Sequence, residues 1–87
     1  MRRTVLPAKK DLVDATLEVL TEVGGTVSTK TINRLVAEKL QISEETLMIE
    51  DENGCGTAYE YRMRWIRTEL KQKKIIANPK RGEWKLA

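Results

Sequence analysis

Residues 58–87 read AYEYRMRWIRTELKQKKIIANPKRGEWKLA, and this stretch decides the fold of the 87-residue chain. Apolar residues recur every three or four positions in its first half: Tyr59, Met63, Ile66 and Leu70. This spacing predicts a helix over about 58–73 with one buried face. Two strand-like runs, 75–77 and 83–86, then flank a turn at 78–82. A basic amphipathic helix followed at once by a basic hairpin is typical of a winged helix-turn-helix domain.

The upstream sequence supplies the helices against which this stretch would pack. A helical pattern over about 8–23 ends at Gly24-Gly25, where glycine suits the end of a helix. Residues 26–28 are β-prone, and a second helix is expected to begin with Ser28 or Thr29 as its N-cap. Four apolar residues form its buried face: Ile32, Leu35, Val36 and Leu40.

Ser43 is expected to cap a short third helix, and 50–57 follows as an acidic, glycine-containing loop without periodicity that should be mobile. The chain is therefore predicted to be a single α+β domain over 1–87. It should hold three to four helices and a small antiparallel sheet with a wing. Cys55 lies in this loop and is interpreted as incidental. One cysteine and no histidine exclude a disulfide framework and a Cys/His zinc site.

Charge is distributed unevenly along the chain, although the net charge is only +3. Residues 1–10 carry four bases, 11–57 carry three bases against ten acids, and 58–87 carry nine bases against three acids. A polyanion would meet one basic face and one acidic face and would be oriented by their field. This asymmetry favours double-stranded DNA as the partner.

Other classes of protein are disfavoured by what the sequence lacks. No apolar stretch approaches the ~18 residues of a membrane span. The basic first ten residues have no apolar core of a secretory signal. We therefore expect an intracellular, cytoplasmic protein with no membrane partner, and no cofactor is predicted.

The face of the long helix opposite its apolar residues carries the candidate DNA contacts. Arg64, Arg67 and Lys71 lie there with Glu60, and arginine can grip a guanine edge or a phosphate. A solvated charged face is the alternative, but the basic hairpin that follows favours DNA. Tyr61 fits a base or phosphate contact and the rim of the core equally well.

Other side chains near the helix are assigned structural roles. Arg62 is expected to pair with the acidic residues at 50–52, Trp65 to pack at the edge of the core, and Trp84 to lie in the core. At the turn, Pro79 fixes φ and Gly82 permits a positive φ.

The wing bases and the start of the second helix complete the predicted surface. The residues expected to contact DNA are Lys30, Thr57, Tyr61, Arg64, Arg67, Thr68, Lys71, Lys80 and Arg81. With about six phosphate contacts, log K against log salt should slope near −5.

Glu83-Trp84-Lys85 matches the end of a metal-dependent nuclease motif, but that chemistry also needs a nearby aspartate to hold Mg²⁺. The closest upstream acids are Glu69, inside the helix, and Asp51, in the loop. Glu83 and Lys85 should also face solvent, since Trp84 between them faces in. Catalysis by this chain is therefore not expected.

Several motifs in the chain resemble the N-terminal winged-helix domain of Mrr-type restriction-system proteins. The motifs are Tyr59-x-x-Arg62-x-x-Trp65-x-x-x-x-Leu70, Lys73-Lys74-Ile75-Ile76, Pro79-x-Arg81-Gly82-x-Trp84-x-Leu86, Gly24-Gly25 and Leu40-x-Ile42-Ser43. The resemblance implies a DNA-recognition module in a prokaryotic cytoplasm, near the nucleoid.

In that family a separate downstream nuclease domain cuts DNA, which is often modified. The sequence ends at Ala87, right after the wing, so cleavage is not carried over. The chain is expected to be an excised domain or a stand-alone relative, with a nuclease domain as a fused or separate partner. A homodimer is compatible with this interpretation.

One alternative function comes from a different class. A winged helix can bind proteins instead of DNA, since a fold does not settle a function. The acidic segment 44–52 would then meet a partner that carries a basic patch.

Overall fold

The computed structural model describes residues 6–51 and 56–87 and confirms an α+β fold. Its elements are α1 (Lys9–Val23), β1 (Val27–Ser28), α2 (Thr29–Lys39), α3 (Glu44–Leu47), α4 (Ala58–Gln72), β2 (Ile76–Lys80) and β3 (Glu83–Leu86). Within the described residues, four helices and a three-stranded antiparallel sheet form a winged-helix-like arrangement. The predicted order of helices and strands is confirmed.

Capping residues set the ends of the helices where the sequence predicts them. Gly24 ends α1 with a φ of 69°, and its N–H donates to the carbonyl of Leu20. Ser28 caps α2, since its hydroxyl accepts a hydrogen bond from the N–H of Thr31. Ser43 caps α3 in the same way. Such caps satisfy N–H groups that a helix leaves without partners in its first turn.

The last strand in the sequence lies in the middle of the sheet, in the order β1-β3-β2. Val27 pairs with Trp84 across β1 and β3, and Ile76 pairs with Leu86 across β2 and β3. The sheet therefore joins the start of α2 to the hairpin that follows α4.

The hairpin turn is tighter than the predicted turn over 78–82. Strand β2 continues to Lys80, and the register of its pairing with β3 shifts between Ala77 and Lys80. The Asn78 amide bridges the two strands by donating to the carbonyls of Lys80 and Glu83, at 2.7 and 2.6 Å. Pro79 is tolerated because β2 is an edge strand. Gly82 has a φ of 78°, as predicted.

The core lies where α1, α2, α4 and the sheet meet. The predicted stripe of α4, formed by Tyr59, Met63, Ile66 and Leu70, is buried, with each residue at most 4% exposed. It packs with Leu12, Ala15, Val19, Leu20, Val27, Ile32, Val36, Ala37 and Ile76. Burying one large apolar side chain stabilises a fold by about 1.5–3 kcal/mol, so this stripe fixes the orientation of α4.

The two ends of the predicted acidic loop pair with each other just before α4 begins. Glu50 and Thr57 form an isolated antiparallel bridge, and the N–H of Ala58 donates to the carbonyl of Ile49 at 2.8 Å. Cys55 and the prediction for it lie outside the described residues, as does Glu52. The mobility predicted for 50–57 stays a prediction.

Candidate nucleic-acid interface

A capping box sets the start of α4. The Thr57 hydroxyl accepts from the N–H of Glu60 at 3.2 Å, and the Glu60 carboxylate accepts from the N–H of Thr57 at 3.1 Å. Such reciprocal bonds satisfy two N–H groups at the helix start. Thr57 was predicted to contact DNA, and its hydroxyl instead caps the helix here. Its contact with DNA stays a prediction.

The outward face of α4 forms a shallow groove of about 180 Å³, lined by Tyr61, Arg64, Trp65 and Thr68. The rings of Tyr61 and Trp65 meet edge to face, with their centroids 6.2 Å apart. The Thr68 hydroxyl donates to the carbonyl of Arg64 at 3.0 Å. Three predicted contact residues are thus brought together on one surface.

Trp65 is the residue of this surface that sequence reasoning missed. It was expected to pack at the edge of the core, yet it is 58% exposed. Helical geometry indicates this exposure, because at 100° per residue Trp65 lies about 200° around the helix from the buried Met63. A large aromatic side chain in the centre of an outward helix face is a candidate contact for a partner.

Arg67 does not lie on the solvent face, so that expectation is wrong. It is 6% exposed, since it follows the buried Ile66 and lies one turn after Met63. Its Nη1 donates to Asn33 Oδ1 at 2.7 Å, and its guanidinium lies 5.7 Å from the centre of the Trp84 ring. Arg67 therefore joins α4 to both α2 and β3.

Burial also perturbs the groups around Arg67. Burial lowers the pKa of the Arg67 guanidinium, because it removes water from the charged form. The Tyr59 side chain raises this pKa, and the positive charge of Arg64 lowers it further. Burial raises the pKa of the Tyr59 hydroxyl, which the Arg67 charge opposes. That hydroxyl donates to the carbonyl of Asn33 at 2.6 Å. Asn33 thus accepts from two α4 side chains and fixes α4 against α2.

The wing is attached to the first residue of α2. The Trp84 indole N–H donates to Thr29 Oγ1 at 2.8 Å, and the Thr29 N–H donates to the carbonyl of Gly82 at 2.9 Å. Trp84 is partly buried against the core, close to its predicted position. These bonds hold the hairpin turn beside α2.

The remaining predicted contact residues are exposed. Lys71 lies on α4, Lys80 and Arg81 lie at the hairpin turn, and Lys30 lies on the first turn of α2. Lys30 lines a broad groove between α2 and the start of α4. The structure thus leaves all four charges open to a partner.

The basic residues that the structure describes fall into two groups, those that form an ion pair and those that do not. On α2, Arg34 pairs with Glu38 at 3.4 Å, and Lys39 pairs with Glu18 and Glu22 at 3.9 and 3.1 Å. In the described part of the chain, no ion pair is formed by Lys30, Arg64, Lys71, Lys80 or Arg81. The predicted contact surface therefore keeps its positive charge.

A second groove, of about 400 Å³, lies on the other side of Trp65. It is lined by Lys9, Arg62, Trp65, Ile66, Thr68, Glu69 and Gln72. Lys9 of α1 reaches Glu69 of α4 at 2.8 Å, and this bond lowers the pKa of the Glu69 carboxyl. Arg62 is exposed here, and its predicted pairing with 50–52 stays a prediction because residue 52 lies outside the described residues.

Residues 6–51 and 56–87 contain neither a cluster of metal-ligating side chains nor a helix suited to crossing a membrane. In these ranges no group of three or more His, Cys, Asp or Glu side chains is placed to hold a metal ion. None of the helices there has the length and apolar character that a membrane crossing requires.

Glu83 is half-buried and Lys85 is exposed, so the expectation that both face solvent holds fully for Lys85 alone.

Comparison with known proteins agrees with the resemblance found in the sequence. The family model described as the Mrr N-terminal domain matches residues 10–87, which include α4 and the wing. No curated protein and no solved structure gives a match. The family match covers nearly the whole chain, and the protein therefore belongs to the Mrr N-terminal domain family of restriction-system proteins.

Proposed function

We propose that this chain binds double-stranded DNA, with α4 in the major groove and the wing at 78–82 on the backbone or in the minor groove. The distribution of ion pairs carries this proposal. Arg34 and Lys39 on α2 are neutralised by carboxylates, whereas Lys30 and the exposed candidate bases of α4 and the wing turn have no ion-pair partner in the described residues. Exposed cations without an ion pair suit a polyanion, because each can release a counterion from a phosphate.

The outward face of α4 would read base edges. The major groove of DNA is about 12 Å wide and admits one helix. Arg64 can donate to a guanine edge or to a phosphate, and Trp65 can make apolar contact with a pyrimidine methyl group. Tyr61 and Thr68 flank these two residues and can donate to bases or phosphates. Lys71 is exposed about two turns after Arg64 and would meet the backbone.

The wing would contact DNA beside this helix. Lys80 and Arg81 extend from a turn that is hydrogen-bonded to α2 through Thr29. A turn held in this way needs little ordering when it binds, so less entropy is lost. Arginine and lysine at such a turn suit phosphates or a narrow minor groove.

We further propose that the chain itself is not catalytic and that cutting belongs to a nuclease domain, fused or separate. The family to which it belongs is an N-terminal domain, which supports a division between recognition and cleavage. Such a division also supports a cytoplasmic location near DNA. A homodimer would fit two half-sites but is not needed for one domain to bind.

Fluorescence anisotropy with labelled duplex DNA, unmodified or methylated, tests the proposed function. Arg64→Ala should weaken binding by about 1–3 kcal/mol if Arg64 contacts a base. The matched control is Arg34→Ala, which removes the same side chain from α2 where it is ion-paired with Glu38. Equal affinities for both variants would reject α4 as the reading helix. Absence of binding by the wild-type chain at low salt would reject the function.

A protein-interaction function remains the second candidate, and one exposed residue favours it. Met48 is 75% exposed beside α3, where Glu44 and Glu45 lie in the first helical turn. An exposed methionine among acids suits a partner with a basic, partly apolar patch. Met48→Ser should abolish capture of such a partner and leave DNA binding unchanged.

A further inference from the structure

A small recess lies between α2 and α4, behind the outward face of α4. Its volume is about 210 Å³, and it is lined by Thr29, Asn33, Glu60, Tyr61, Arg64 and Arg67. Two arginines thus meet one concave surface. Concave sites with a few convergent charged groups are where proteins usually bind small polar ligands.

Arg67 brings to this recess a buried charge without an anionic partner. It is 94% buried, and none of the described carboxylates forms an ion pair with it. Nη1 is bonded to the neutral Asn33 amide, and Nε is enclosed with no acceptor. Buried charges in proteins are normally paired, because an unpaired charge loses its hydration without compensation.

Arg64 increases this imbalance from the rim of the recess. Its side chain is exposed, and its charge disfavours the protonated form of Arg67, so the two guanidinium groups repel each other. Glu60 is the one acid among the lining residues, and its carboxylate accepts hydrogen bonds from Thr57 N and Thr57 Oγ1, both at 3.1 Å. An anion in the recess would relieve the repulsion and compensate the buried charge.

We propose that this recess is a phosphate-binding pocket, in which Arg64 and the buried Arg67 together hold one phosphate oxyanion. This inference rests on the proposed function where the phosphate belongs to the DNA backbone. The same chemistry fits a free phosphate. The planar guanidinium group donates in a fixed fork that matches phosphate oxygens, so two of them suit one phosphate group.

The contacts of Arg67 make it an anchor that is positioned before the ligand arrives. Trp84 of the wing covers one side of its guanidinium, and Asn33 of α2 holds Nη1. A side chain already fixed in its bound position loses little entropy on binding. A phosphate in the recess would therefore be gripped at the junction of α2, α4 and the wing.

Asn33→Asp is the decisive variant because it supplies Arg67 with a carboxylate of nearly the same shape. The internal pair would compensate the Arg67 charge and repel an incoming phosphate. Thermal unfolding should therefore stay at the wild-type temperature or rise, while inorganic phosphate should bind about tenfold more weakly. If the variant unfolds early, Arg64→Ala replaces it, because Arg64 is exposed and its loss leaves the core intact.

The titration follows the side-chain Nε–H signals of the arginines by NMR as inorganic phosphate is added, against sodium chloride at equal ionic strength. The Arg67 signal should shift saturably with phosphate and not with chloride. Gln72→Glu is the matched control, since it adds one negative charge to an exposed α4 position outside the recess. It should leave phosphate binding within about twofold of the wild type.

A second arm identifies the source of the phosphate. Duplexes in which single phosphates are replaced by neutral methylphosphonates should include one position that weakens wild-type binding but not binding by Asn33→Asp. Phosphate binding without any DNA binding would retain the pocket as a free-phosphate site and reject the proposed function. DNA binding with no Arg67 shift and equal effects of Asn33→Asp and Gln72→Glu would reject the pocket and retain the function.

Discussion

The salt dependence of DNA affinity gives the sharpest test of how the protein meets the backbone. Five exposed cations of the contact surface have no ion pair among the described residues: Lys30, Arg64, Lys71, Lys80 and Arg81. Arg67 adds no further phosphate, because it shares the recess with Arg64. Each neutralised phosphate contributes about −0.9 to the slope of log K against log salt, so five contacts predict about −4.5.

Removing both wing charges should change that slope by a fixed amount. Lys80→Gln together with Arg81→Gln deletes two of the five contacts, so the slope should become less steep and reach about −2.7. Affinity is measured by fluorescence anisotropy between about 50 and 200 mM potassium chloride, the range over which counterion release dominates. Both residues are exposed at the turn, so the fold should not be altered.

The control removes the same two charges from the ion-paired face. Arg34→Gln together with Lys39→Gln disrupts pairs with Glu38, Glu18 and Glu22, and exposed pairs contribute little to stability. Its slope should stay near −4.5 because these bases meet no phosphate. Equal slopes for the two double variants would refute the reasoning, since net charge alone would then govern binding.

Three further predictions concern stability. Thr57→Ala should lower the free energy of unfolding by about 1 kcal/mol, because the N–H of Glu60 loses the hydroxyl that accepts its hydrogen bond. Urea denaturation measures this change, and an unchanged midpoint would contradict the capping box. Met63→Ala should cost about 2–5 kcal/mol in the same assay, since Met63 is fully buried, and a smaller loss would mean that the stripe can collapse around the cavity. The hydrogen bond from Lys9 is the main cause that lowers the pKa of the Glu69 carboxyl in the folded protein. The stability that Glu69 contributes is therefore complete above its ordinary pKa of 4.5, and it is lost as the pH falls through the lower pKa of the folded state. Acid unfolding of Glu69→Gln should therefore be less steep over that window than that of the wild type, and identical curves would exclude this pair as a source of pH dependence.

The helices and the hairpin could be predicted because their signals are local. The stripe of α4 follows from helical spacing, and Gly24 and Gly82 lie at positive φ where the sequence indicates turns. The exposed cations of the wing follow from the same reasoning. Each of these features depends on residues close together in the chain.

The burial of Arg67 and the recess beside it could not be predicted, because the helical position of Arg67 indicates burial while its charge indicates exposure. Arg67 lies one turn after Met63 and one turn before Leu70, which is a buried position, but a charged residue is normally exposed. Its burial depends on Asn33 and Trp84, which are far away in the sequence. The extension of β2 through Pro79 was also missed, and there the Asn78 amide donates to Lys80 within the strand and to Glu83 across the hairpin.

The central position of β3 has a consequence for synthesis on the ribosome. Glu83–Leu86 pairs with both other strands, and its Trp84 bonds to Thr29, which lies 55 residues earlier. The sheet therefore cannot close until residues after Arg81 have emerged, however early α1 and α2 form. A premature stop before Glu83 would leave β1 and β2 without a common neighbour, and quality-control proteases would meet two open backbone edges.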